Sequence, residues 1–179
     1  KTLKMQMTEL SNLSMAFGTD VTFDYLDGQH KCTPEDEAKM EAGVKAFFPG
    51  PYFEYINANN VGDKRVYSYV DDALKHISAK IAKDGPYDGL LGFSQGGMMA
   101  HLYCMLAAKG EPGYVMPNLL ILLSSRMTLH SDHSTLCERF QKDKLSVPTL
   151  VFFSEHDDHV SGEETRRLLT TCSNVKQIY

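Results

Sequence analysis

Gly85-Pro86-Tyr87-Asp88-Gly89-Leu90-Leu91-Gly92-Phe93-Ser94-Gln95-Gly96-Gly97 is the run on which the fold turns. Gly85-Pro86 stops the helical pattern before it, because proline lacks an N–H and disfavours helical backbone at the preceding residue. Residues 89–93 (GLLGF) form an apolar stretch of strand length. Gly92-Phe93-Ser94-Gln95-Gly96 then matches G-x-S-x-G. From Gly96 to Ala108 the chain is apolar nearly all round (Met98, Met99, Leu102, Met105, Leu106), as in a helix buried against a sheet. Strand, sharp turn and helix in that order lift the serine above the carboxyl edge of a sheet. Gly92 and Gly96 are expected to admit neighbouring backbone where a Cβ would clash. The helix N-terminus offers free N–H groups and the positive end of its dipole to a developing oxyanion. Ser94 is therefore the candidate nucleophile, and the Gln95 N–H a candidate oxyanion-hole donor. A tight glycine-rich βα turn without chemistry would use the same glycines; the strand before and the helix after separate the two readings.

Outward from this run the pattern repeats. Residues 119–123 (LLILL) and 149–153 (TLVFF) are continuous apolar runs, as in strands covered on both faces. Residues 21–25 and 175–179 are expected as companion strands. Between strands, Val66, Val70, Leu74, Ile77 and Ile81 recur at helical spacing and stop at Gly85-Pro86. Thr33-Pro34-Glu35-Asp36 reads as an N-cap, a proline at N1 and acids in the first turn. Met5, Leu10, Leu13 and Phe17 predict a further helix. Residues 47–60 (FFPGPYFEYINANN) fit no period and are expected as an irregular lid or binding loop. The fold class is α/β: a mostly parallel sheet with flanking helices.

Composition narrows the function. The chain has 179 residues, suited to a single domain over 1–179, with 42% hydrophobic and 23% charged residues. Net charge is −5 and no Lys/Arg cluster occurs, which argues against nucleic acid or an anionic membrane as partner. No apolar run is long enough for a membrane span. Cys32, Cys104, Cys137 and Cys172 are scattered without a C-x-x-C pair, as for reduced thiols in a cytoplasmic protein.

A serine nucleophile needs a base, and the base an orienting acid on a loop after a later strand. The run TLVFF is followed by Ser154-Glu155-His156-Asp157-Asp158-His159, which makes Asp157 the first candidate, ahead of Asp158 and Glu155. Residues 85–97 resemble the GPxDGxxGFSQG signature of the FSH group ("family of serine hydrolases") of α/β-hydrolases. Val147-Pro148-Thr149 through Glu155-His156-Asp157 is similar to that family's acid loop, and residues 23–30 (FDYLDGQH) to its early strand and turn, with Gln29 where proline is usual. The resemblance implies an α/β-hydrolase fold and carboxyl-ester or thioester hydrolysis through a Ser-His-Asp mechanism on a small-molecule substrate. It assigns Ser94 as nucleophile, Gln95 as oxyanion donor and Asp157 as acid, and implies no cofactor and no metal. Acyl-protein thioesterases share GFSQGG and are a second family of resemblance.

The triad histidine is the gap. His156 and His159 are too close in sequence to the acid, and His101 lies about 10 Å down the helix at 1.5 Å per residue. For each of these, and for His30, His76, His130 and His133, a satisfied surface or loop histidine is the better reading. Glu155-His156-Asp157-Asp158-His159 and His130-Ser131-Asp132-His133 offer H-x-x-H, but a helical zinc pair wants i, i+4 spacing. Asn12-Leu13-Ser14 is a sequon by chance. The family's first strand, with the loop supplying a second oxyanion donor, and the histidine loop after the last strand are expected to lie outside this chain. A substrate pocket is expected between the elbow and residues 47–55. The rival reading is a catalytically incomplete α/β-hydrolase-fold binding or interaction domain.

Overall fold

The computed structural model describes residues 2–5, 7, 18–40, 42–61, 64–128 and 133–178. They fall into two compact units, Lys1–Glu54 and Tyr55–Tyr179. The first holds α1 (Thr2–Met5), β1 (His30–Lys31), α2 (Pro34–Lys39), α3 (Ala42–Phe47) and β2 (Phe53–Glu54). β1 and β2 pair antiparallel, His30 opposite Glu54. α2 begins as its sequence predicts: Thr33 Oγ1 accepts the Asp36 N–H at 3.2 Å, Pro34 stands at the first turn, and Glu35, Asp36 and Glu37 face the positive end of the dipole. The expected strand over 21–25 is absent. That segment joins no ladder among the described residues, and period-2 alternation without a neighbouring strand does not make a sheet. Of the expected first helix, Met5 is helical in α1, while Leu10, Leu13 and Phe17 lie outside the described residues.

The second unit opens with a hairpin, β3 (Asn57–Val61) and β4 (Lys64–Ser68), in register from Asn57–Ser68 to Val61–Lys64. This corrects the irregular loop expected over 47–60, a stretch that contains β2 and all of β3 but Val61. Three asparagines argue against a strand by propensity, but pairing with β4 supplies the ladder that propensity withholds. Val66 likewise lies in β4 and not in the following helix. That helix, α4 (Val70–Asp84), buries Val70, Ala73, Leu74 and Ile77 and stops at Gly85, whose N–H reaches the Ile81 carbonyl at 2.9 Å.

The rest is a parallel sheet in the order β5 (Gly89–Phe93), β6 (Leu119–Leu123), β7 (Thr149–Phe152), β8 (Val175–Ile178). β5 and β6 have the predicted bounds, β7 stops one residue short of Phe153, and Tyr179 lies outside the described residues. Helices α5 (Gln95–Lys109), α6 (Ser134–Lys142) and α7 (Gly162–Leu169) alternate with these strands. α5 packs on β5 and β6, and all its residues from Gly97 to Leu106 are buried. Leu120, Leu122 and Val151 are fully buried, each contributing roughly 1.5–3 kcal/mol of apolar transfer. On the alternate positions a register row runs Phe93, Leu123, Phe152, Ile178, of which Phe93, Phe152 and Ile178 are exposed. The arrangement is α/β as expected: parallel strands, flanking helices, and the serine at a strand-to-helix turn. No helix among the described residues is long and apolar enough to cross a membrane.

Candidate active site

Ser94 sits between β5 and α5 with φ 51° and ψ −113°. A non-glycine residue at positive φ costs on the order of 1–3 kcal/mol and persists only where its surroundings enforce it. Enforcement is visible: the Ser94 N–H donates to the Leu123 carbonyl of β6 at 2.9 Å, and its carbonyl accepts the Met98 N–H at 3.1 Å. A Cβ on Gly92 would lie 2.5 Å from the Gly96 backbone, so glycine is required there, as expected. Gly96 differs from expectation. A Cβ there would meet only the Tyr55 ring, at 3.9 Å, an ordinary van der Waals contact. The tight position is Gly97, where a Cβ would strike the Ser125 side chain and stand 3.0 Å from the Gly92 carbonyl.

Gln95 opens α5, so its backbone N–H has no carbonyl four residues back within the helix. Its side chain is engaged elsewhere. Oε1 accepts the Tyr55 N–H at 2.8 Å and the Ile56 N–H at 3.3 Å, while Nε2 donates to the Ile56 carbonyl at 2.7 Å.

Asp157 lies in the loop after β7, the carboxyl end of the strand two places from β5. Its Oδ1 accepts the His159 N–H at 2.8 Å and the Val160 N–H at 3.0 Å. Those backbone donors, Val160 first, with help from the Ser124 side chain and the nearby His159, hold its carboxyl below the ordinary aspartate value. Ser124 follows β6, has φ 42°, and donates its N–H to the Phe152 carbonyl at 2.8 Å. Ser94, Ser124 and Asp157 thus follow β5, β6 and β7 at one edge of the sheet. Of the rival acids, Glu155 is ion-paired with Arg166, and Asp158 is exposed.

The histidines are dispersed. Against the surface or loop reading, His101 is buried in α5 because Thr171 satisfies its ring: Nε2 stands 2.8 Å from Thr171 Oγ1, and burial pushes its pKa down to about 4. His133 Nε2 stands 3.1 Å from Asp71 Oδ1. His156 and His159 are exposed beside Asp157, His76 lies on α4, and His30 is in β1 of the first unit. His130 and the Asn12 sequon fall outside the described residues. All four cysteines are free and buried, and burial pushes the Cys104 thiol up to about 12, far from a nucleophilic thiolate. A cavity of about 260 Å³ at the start of β5, lined by Ile81, Tyr87, Leu90, Val115, Met116 and Pro117, includes none of the elbow residues 92–96. Of the aromatic stretch expected to wall the substrate, residues 47–54 belong to the first unit, and Tyr55 stands beside Gly96 in the second. The side-chain role of Gln95 and the contact of Ser124 with Asp157 had no signal in the motif; the last glycine of GFSQGG was the one available cue to Gly97.

A family model described as serine hydrolase (FSH1) matches residues 1–179. Esterase OVCA2 of Bos taurus is 33% identical over 99 residues, 55% of this chain and 42% of that protein. Esterase C25G4.2 of Caenorhabditis elegans is 33% identical over 98 residues, 55% of this chain and 43% of its own. The chain therefore matches less than half the length of either relative. A solved structure of acyl-protein thioesterase 2 from Zea mays aligns with a TM-score of 0.49 at 18% identity, over 75% of this chain and 69% of that one.

Proposed function

Since the chain belongs to the serine hydrolase (FSH1) family, we propose that it is an esterase or thioesterase acting on a small-molecule substrate, with residues 1–179 forming one hydrolase domain. Ser94 Oγ attacks the acyl carbonyl and passes its proton to a histidine that Asp157 orients. The oxyanion forms against the Gln95 N–H. Collapse expels the alcohol or thiol, which takes the proton back from the histidine. Water then repeats the sequence on the acyl-serine and releases the acid. Proton transfers and an acyl-serine suffice, so the reaction needs no cofactor or metal. The depressed Asp157 pKa keeps that carboxylate charged at neutral pH, as an orienting acid requires. Four free cysteines agree with a reducing, cytoplasmic setting.

The strained Ser94 backbone at the β5–α5 turn carries this reading. In the full-length protein a fluorophosphonate probe is expected to label the wild type and not Ser94→Ala; labelling of Ser94→Ala overturns the nucleophile assignment. The placement of His101 in the core and His133 against Asp71 favours a second reading, a hydrolase-fold binding domain without a working triad, which an unlabelled wild type would support. Relative turnover of a palmitoyl-thioester peptide and a short aryl ester separates thioesterase from esterase.

A further inference from the structure

Gln95 does more in this structure than lend a backbone N–H. Its carboxamide lies along the Tyr55–Ile56 backbone, taking two N–H donors on Oε1 and giving one hydrogen bond from Nε2. Only a carboxamide satisfies this arrangement. A carboxylate would keep the two N–H bonds but set negative charge against the Ile56 carbonyl; a methionine of similar size would lose all three. Ile56 is 1% exposed, so the far side of the clamp is anchored in the core. The near side is Tyr55, whose ring edge comes within 3.9 Å of a Cβ position on Gly96, over the first turn of α5. The residue after the nucleophile thus fixes the backbone that carries an aromatic ring, and that ring stands against Gly96, two residues along the chain from the nucleophile.

We propose that the Gln95 side chain is a positioning residue, holding Tyr55 as the wall against which the acyl group of the substrate packs, so that together they set acyl-chain preference. The inference rests on the hydrolase reading. Apolar contact with a fixed ring favours longer acyl groups over acetyl, because each added methylene buries surface against it.

The test uses full-length protein and p-nitrophenyl acetate, butyrate and octanoate, with fluorophosphonate labelling as a separate readout. Tyr55→Ala and Gln95→Met should each lower the octanoate-to-acetate ratio of kcat/KM about tenfold, mainly through KM for octanoate. The double variant should be no worse than the poorer single, since both remove one wall. Gln95→Glu should give an intermediate ratio, and it replaces Gln95→Met as the test if that variant fails to fold. A labelled wild type whose Gln95 variants keep the wild-type ratio, or whose effects add to those of Tyr55→Ala, overturns the inference alone. An unlabelled wild type overturns the hydrolase reading and this inference with it.

Discussion

Three glycines around Ser94 carry unequal constraints. A methyl on Gly97 has nowhere to go, with Ser125 on one side and the Gly92 carbonyl on the other, whereas Gly96 has room. Gly97→Ala is expected to destabilise by about 1–3 kcal/mol through overpacking. Gly96→Ala is expected to be neutral or stabilising by up to about 1 kcal/mol, since alanine is the better helix former. Urea midpoints at constant m-value measure both; equal losses would contradict the geometry. The G-x-S-x-G pattern marks where the turn falls, because glycine, serine and the apolar runs are local signals. It does not reveal which glycine is packed, because Ser125 comes from the loop after the next strand. The loop that holds Asp157 was legible for the same local reason: acidic residues follow an apolar run within a few positions.

Among the elements, α5 was the most legible and holds the least expected residue. Its apolar surround predicted a helix buried on nearly every side, yet His101 is inside it, paired with Thr171. Burial lowers the folded-state pKa to about 4 from an ordinary value of 6.5. Between those values the unfolded chain binds the proton and the folded one does not, so stability rises with pH across that window and is fully present above it. On going from pH 7 to pH 4 the loss is on the order of 3 kcal/mol. His101→Gln, which keeps a donor for Thr171 but cannot titrate, is expected to flatten the dependence of Tm on pH between 6.5 and 4; an unchanged slope would assign it to other groups. β3 was illegible by contrast. Its asparagines are polar and its strand character comes from β4 across the hairpin, although Gly62-Asp63 in the sequence is a dipeptide suited to a two-residue hairpin turn.

Over the whole molecule, the parallel sheet could be read from apolar runs, but the division at Glu54–Tyr55 could not. No glycine-serine linker or charge shift marks it; it falls inside the aromatic stretch. The exposed row Phe93, Phe152 and Ile178 has a consequence at this scale. Contiguous apolar surface drives association, so the 179-residue chain is expected to sediment above monomer mass at high concentration. Phe152→Lys with Ile178→Lys is expected to return it towards the monomer; a wild type monomeric at all concentrations would refute this. The order β5-β6-β7-β8 also repeats the order of synthesis. Each new strand leaving a ribosome finds its neighbour already made, with one helix between them among the described residues. The sheet can therefore grow vectorially, one βα unit at a time, without waiting for a distant partner to be translated.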